Sequence, residues 1–126
     1  MTALSDADKT YLNERGYEYE EAASDGHAGV VIKRRPLPTD RFHEAEADVL
    51  IILPPRYPLV PPDMFYLLPW VRLKVNNVFP RAANQPFSFG GQKWQRWSRH
   101  EKDWRPGVDG IWTMLKRVEH ALEIAA

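Results

Sequence analysis

Leu53-Pro54-Pro55-Arg56-Tyr57-Pro58-Leu59-Val60-Pro61-Pro62 carries five prolines in ten positions, directly after an apolar run. Proline has no backbone donor and fixes φ, and it pushes the residue before it toward extended geometry, so neither helix nor strand continues through this stretch. It reads as a rigid, mostly extended strap leaving a strand. A stiff segment loses little entropy on ordering, so the strap is suited to pin Tyr57 against a sheet or helix. An aromatic residue before proline favours the cis isomer, and a cis bond is expected at Tyr57-Pro58, with Pro55, Pro61 and Pro62 as the other positions for it. Its expected role is structural, setting the loop that leads to the next strand.

Upstream of the strap, Ser5 and Asp8 have the form of a capping box, which starts a short helix over about Asp6 to Glu14 with Tyr11 and Leu12 inward, ending at Gly16. Tyr17 to Ala23 alternates at its start like a strand. Asp25-Gly26 and Gly29 supply a turn, and Val30 to Arg34 returns as a second strand closed by Pro36-Leu37-Pro38. From Phe42 to Leu53 alternation gives way to a solid apolar run, the pattern of a strand entering the centre of a sheet. Downstream, Met64 to Leu68 is a fourth strand. Trp70 to Lys93 is broken by Asn76-Asn77, Pro80, Asn84, Pro86 and Gly90-Gly91 and reads as one long irregular connection. Ile111, Met114, Leu115, Val118, Ala121 and Leu122 recur at helical spacing, with Asp109 as the expected N-cap. The result is an α+β class: N-terminal helix, four-stranded antiparallel meander, long loop, central helix.

A chain of 126 residues, 44% hydrophobic and with five tryptophans, fits a single domain over 1–126 with one core. Its formal net charge of zero argues against a general polyanion binder. No stretch approaches a membrane span, and Met1–Asp8 lacks the basic and apolar segments of a signal peptide, so a cytoplasmic location is expected. The complete absence of cysteine removes disulfides, thiolate metal sites and thiol nucleophiles together. His27, His43, His100 and His120 lack ligand spacing, and Gly90-Gly91 lacks the Lys-Ser/Thr of a P-loop, so neither a metal nor another cofactor is expected. Charge is nonetheless uneven: seven acidic against two basic side chains over Met1–Gly29, and five basic against two acidic over Gln92–Arg105.

The order of these elements, with Leu53-Pro54-x-x-Tyr57-Pro58-x-x-Pro61-Pro62 followed by Trp104-Arg105-Pro106 before a helix, resembles the ubiquitin-conjugating enzyme (UBC) superfamily. The first motif agrees with the family's F-P-x-x-Y-P-x-x-P-P apart from Leu53, and the second resembles its W-S-P. The resemblance covers about residues 5 to 122. Three departures stand out. The H-P-N triplet is missing, with Phe79-Pro80-Arg81 only an echo of it. The position of the nucleophilic cysteine falls at Arg96. The family's two C-terminal helices are absent after the central helix. The shortened form, with its run Trp94-Gln95-Arg96-Trp97-Ser98-Arg99-His100, is similar to divergent bacterial UBC-like proteins encoded beside multi-ubiquitin-like, activating-enzyme and JAB-peptidase genes. The resemblance implies as partners a ubiquitin-like modifier, its activating enzyme or a JAB-type peptidase.

Near the vacant thiol position, Ser98 and His100 are the candidates for chemistry. Two residues apart, they share a face only if the backbone around Trp97 to His100 is extended. The alternative is a loop in which Ser98 caps a turn and His100 bonds to backbone. Trp94, Trp97 and Trp104 interleave with Lys93, Arg96, Arg99, Lys102 and Arg105, and two uses suit this alternation. Trp94, Arg96, Trp97 and Arg99 bind a partner, such as an acidic surface or an extended modifier tail, or the tryptophans pack the segment onto the sheet while the basic groups reach solvent. Single-stranded nucleic acid is the disfavoured third use.

Three functions fit these features. The first is a non-thioester UBC-like component of a bacterial ubiquitin-like modification system, a pseudoenzyme that works by protein-protein interaction. The second is an RWD-type interaction module, a related fold with a similar Tyr-Pro strap. The third is a noncanonical modifier transferase using Ser98 or His100, or a protein whose cysteine has been replaced.

Overall fold

The computed structural model describes residues 3–100 and 103–126. Two helices, α1 (Asp6–Glu14) and α2 (Ile111–Glu123), accompany six strands: β1 (Tyr19–Ser24), β2 (His27–Pro36), β3 (Glu46–Leu53), β4 (Phe65–Leu68), β5 (Gln85–Phe89) and β6 (Gln92–Trp97). The strands form one sheet of order β1-β2-β3-β4-β6-β5 with every neighbouring pair antiparallel. The class is therefore α+β as expected, but the sheet has six strands where four were expected.

Local chemistry accounts for the elements that were legible. Ser5 Oγ accepts the Asp8 N–H at 3.1 Å while Asp8 Oδ2 accepts the Ser5 N–H at 3.4 Å, a reciprocal capping box for α1. At the other end Gly16 has φ +71°, with its N–H bonded to Asn13 O and the Tyr17 N–H to Leu12 O, a Schellman stop. Asp25 and Gly26 (φ 52° and 82°) turn β1 into β2. The six periodic residues of α2 are all buried. Asp109, expected as the α2 N-cap, is not: Gly110 holds that place.

The long connection expected over Trp70 to Lys93 instead contains a hairpin. Gly90 and Gly91, with φ of 60° and 77°, form the two-residue link that lets β5 return as β6. β6 then pairs with β4 as well (Phe65↔Trp97, Tyr66↔Arg96, Leu67↔Gln95), which carries the sheet two strands beyond the meander. Pro86 sits in β5, the outermost strand, where its missing donor costs no ladder bond. Residues 70–84 remain irregular and are held by Gln95, which is fully buried on β6. Its Oε1 accepts the Val71 N–H at 3.0 Å, and its Nε2 donates to Val71 O at 3.0 Å and Ala83 O at 2.8 Å.

The strap is not extended. Tyr57 N–H bonds to Pro54 O at 2.9 Å and Leu59 N–H to Arg56 O at 2.8 Å, giving two successive turns. Proline preorganises both: Pro55 takes the second position of the first turn, and cis Pro58 the third position of the second. The cis Tyr57-Pro58 bond is as expected, and a second cis bond lies at Leu68-Pro69. Tyr57 is pinned and buried, as the strap's stiffness suggests.

Both faces of the sheet bury apolar groups. Val30, Ile32, Val49, Ile51, Phe65, Leu67 and Trp97 meet the helices on one face. On the other, Val31, Leu50, Tyr66, Phe89 and Trp94 form a smaller cluster with no helix over it. Curling of the sheet closes that second cluster. Phe87 of β5 meets His27 of β2 at 5.7 Å between rings, and Gly90 N–H donates to Ser24 Oγ at 3.0 Å, so the last hairpin reaches back to the first. Gly29 makes room for this, because a Cβ there would stand 3.1 Å from Phe89 Cζ.

Candidate functional site

Position 96, where the resemblance placed a cysteine, lies inside a paired strand: Arg96 faces Tyr66 of β4 on one side and Gln85 of β5 on the other. The chemistry-bearing residues come just after it, where β6 ends at Trp97. Arg99 N–H bonds to Trp97 O at 3.0 Å, closing a tight turn around Ser98. The segment is therefore a turn and not the extended backbone on which the Ser98–His100 pairing depended, yet the turn brings the same two side chains together. Ser98 Oγ stands 3.3 Å from His100 Nε2. His100 Nδ1 stands 2.6 Å from Asp63 Oδ1.

Asp63 was not legible as a partner, being 37 residues from His100 in sequence. It follows the strap, and the antiparallel register Phe65↔Trp97 carries the chain on to set it across from residues 98–100. Only the β4–β6 pairing, which the sequence did not reveal, makes the two segments neighbours. Burial pushes the Tyr66 hydroxyl above its usual range, with the negative charge of Asp63 adding and the positive charge of Arg96 opposing. The backbone of the site is tied down on three sides. Ser98 N–H donates to Ala82 O at 3.0 Å, Arg99 Nη1 donates to Ser98 O and Arg81 O at 3.1 Å each, and Arg117 of α2 donates to His100 O.

Of the expected partner-binding residues, Trp94 and Trp97 are 5% and 0% exposed and pack the two opposite faces of the sheet. Trp97 lies between Phe65, stacked at 5.3 Å, and Phe42, edge-on at 6.2 Å. Both rings are thus packed within the sheet's two apolar clusters. Arg96 and Arg99 are half-buried, while Lys102 lies outside the described residues. Burial, with repulsion from Arg81 second, pulls the Arg99 guanidinium below its usual range. Arg81, Arg99, Arg105, Lys116 and Arg117 border a cleft of about 630 Å³ floored by Trp112, Ala121 and Ile124, with Asp103 and Asp109 as its acidic members.

The motif residues make a separate, structural assembly. Tyr57 Oη donates to Asp8 Oδ2 at 2.5 Å, and Asp8 Oδ1 accepts the Ile111 N–H at 2.9 Å at the start of α2. Trp104 Nε1 donates to Pro58 O at 2.8 Å, and its ring lies 6.3 Å from that of Tyr57. Burial first, then the hydrogen bond and charge of Asp8, push the Tyr57 hydroxyl far above its usual range. Pro62 is buried, Pro61 half-buried and Pro106 exposed. The strap and the Trp104-Arg105-Pro106 segment thus touch each other, and Asp8 of α1 links the strap to the start of α2. In this chain the Y-P-x-x-P-P run and the W-x-P run are joined by the contact of Trp104 with Tyr57 and Pro58.

No helix among the described residues is long and apolar enough to cross a membrane. No curated protein and no solved structure matches the chain. A family does match: residues 4–125 fit the proteins described as Prokaryotic E2 family E, E2 being the conjugating class that the strap and the tryptophan motif resemble. With nearly its whole length matched, the chain belongs to Prokaryotic E2 family E.

Proposed function

We propose that the chain is a non-thioester component of a bacterial ubiquitin-like modification system, working in the cytoplasm by binding the modifier or its activating or deconjugating enzyme. The observation that carries this reading is the pairing of E2 family membership with a sequence that contains no cysteine. A thiol suits modifier transfer because its thiolate is accessible near neutral pH and leaves readily. An E2-family chain without a thiol lacks the group that forms the thioester, which leaves binding of the system's other components as its role. Family membership also favours this reading over the RWD-type module, which needs no modifier.

The test mixes the full chain with a purified ubiquitin-like modifier, an activating enzyme and a JAB-type peptidase from the same bacterium, in turn and together with ATP. Expected is a stable complex with at least one of them by size-exclusion chromatography and no adduct of the chain with modifier. Failure to bind all three overturns the proposal, as does transfer of modifier to an amine by the isolated chain.

A further inference from the structure

Ser98, His100 and Asp63 stand in the order and spacing of a nucleophile, a base and an orienting carboxylate. Ser98 Oγ is 3.3 Å from His100 Nε2, and His100 Nδ1 is 2.6 Å from Asp63 Oδ1. A hydrogen bond at Nδ1 fixes which ring nitrogen carries the proton, and here it leaves the Nε2 lone pair turned toward the serine hydroxyl. Chance surface bonding accounts poorly for the arrangement, because three separate elements hold it. The turn at the end of β6 is fixed by Ala82 O and by the Arg99 guanidinium, the post-strap segment brings Asp63, and Arg117 of α2 holds the His100 carbonyl. A serine is activated as a nucleophile by an adjacent base, and surrounding bonds that hold serine and base in place preorganise the pair.

We infer that Ser98 is the nucleophile of a second, hydrolytic activity toward acyl esters and thioesters whose acyl group carries negative charge. Ser98 Oγ attacks the acyl carbon while its proton passes to His100 Nε2. The imidazolium, steadied by the Asp63 carboxylate, hands that proton to the departing thiol or alcohol as the acyl–S or acyl–O bond breaks. Water, deprotonated in turn by Nε2, attacks the serine ester, releasing a carboxylic acid and restoring the Ser98 hydroxyl. Nothing is oxidised or reduced.

Water is the expected acceptor because the site is open, with the side chains of His100 and Asp63 54% and 64% exposed. The preference for negative charge comes from the neighbouring cleft, where Arg81, Arg99, Arg105, Lys116 and Arg117 outnumber Asp103 and Asp109 around an apolar floor. Arg99 follows Ser98 in the chain and Arg117 bonds the His100 carbonyl, so two of the basic residues lining the cleft stand beside the nucleophile. This activity does not depend on the partner-binding reading. It is tested on the isolated chain with small molecules, so its failure leaves that reading untouched.

The full chain is incubated with a fluorophosphonate and digested for peptide mass analysis, and hydrolysis of p-nitrophenyl acetate is compared with that of p-nitrophenyl monosuccinate. Expected is a phosphonyl adduct on Ser98, absent in Ser98→Ala, and formed roughly a hundredfold more slowly in His100→Gln. Asp63→Asn should slow it at least about tenfold, since the ring is then free to take the wrong tautomer. His100 and Asp63 are exposed and Ser98 is half-buried, and circular dichroism checks that each variant is folded. The monosuccinate should be turned over with the higher kcat/KM, and Lys116→Glu should erase that preference. An unlabelled Ser98 in folded protein overturns the inference, as does labelling that persists undiminished in His100→Gln. Equal rates on the two esters overturn the anionic preference.

Discussion

Asp8 shows what a single side chain contributes here. It is 3% exposed, and a carboxylate taken out of water is costly unless donors replace its hydration. The donors are the Tyr57 hydroxyl, the Ile111 N–H and the Ser5 N–H, so one residue joins α1, the strap and α2. Asp109 works in a second network. Its Oδ2 accepts the Arg105 N–H at 2.8 Å, and its Oδ1 accepts from Arg105 Nη2 at 2.8 Å and from the Thr113 hydroxyl at 3.0 Å. The side-chain bond from Arg105 is the leading cause that pulls the Asp109 carboxyl down to about 2. A carboxyl whose pKa is lower in the folded state stabilises the fold above its unfolded value of about 3.9 and loses that contribution as pH falls through its folded value. The difference in melting temperature between wild type and Asp109→Asn should therefore be constant above about pH 5. It should narrow between about pH 4 and the folded value of about 2. A difference that is flat through that window would show that the ion pair does not form.

Among the elements, the junction of α1 with α2 is closed by the absence of a side chain. Gly110 has an extended backbone (φ −162°) that any residue adopts, so its φ imposes no requirement for glycine. Space does: a Cβ there would stand 2.6 Å from Asp8 Oδ1. Gly110→Ala should push Asp8 away from the Ile111 N–H and cost about 1–3 kcal/mol, read as a fall in the urea midpoint. The same substitution made in an Asp8→Ala background should cost much less, since nothing is left to collide with. Equal costs in the two backgrounds would place the effect elsewhere.

For the molecule as a whole, the curl of the sheet decides where the second apolar cluster can hide. Six strands with helices on one face leave the other face open, and the β5–β6 hairpin covers it by folding back toward β1 and β2. Gly29 is the point of closest approach: a Cβ on it would meet Leu50 Cδ1 at 3.0 Å and Phe89 Cζ at 3.1 Å. Gly29→Val should displace Phe89, lower stability by about 1–3 kcal/mol and speed amide exchange in β5 and β6 relative to β2 and β3. Unchanged exchange in the hairpin would mean that the curl does not rest on this contact.

Elements whose signals are complete within a few residues were legible in the chain before any contact was known. These are the capping box Ser5/Asp8, the Asp25-Gly26 turn, the apolar periodicity of α2 and the cis peptide at Tyr57-Pro58. The family was legible too, through the strap and Trp104-Arg105-Pro106, because each motif is complete within ten residues or fewer. The β5–β6 hairpin was less so: Gly90-Gly91 is a hairpin signal, but Pro86, Asn84 and Pro80 around it also read as breaks. The strap's turns were hidden for a related reason, since proline suits a turn as well as an extended chain and only the partners at Pro54 and Arg56 choose between them. Three features came from long-range packing instead: Trp94 and Trp97 face inward, Gln95 anchors residues 70–84, and Asp63 meets His100. Each depends on β4 lying beside β6, a pairing between segments far apart in the chain that no local pattern encodes.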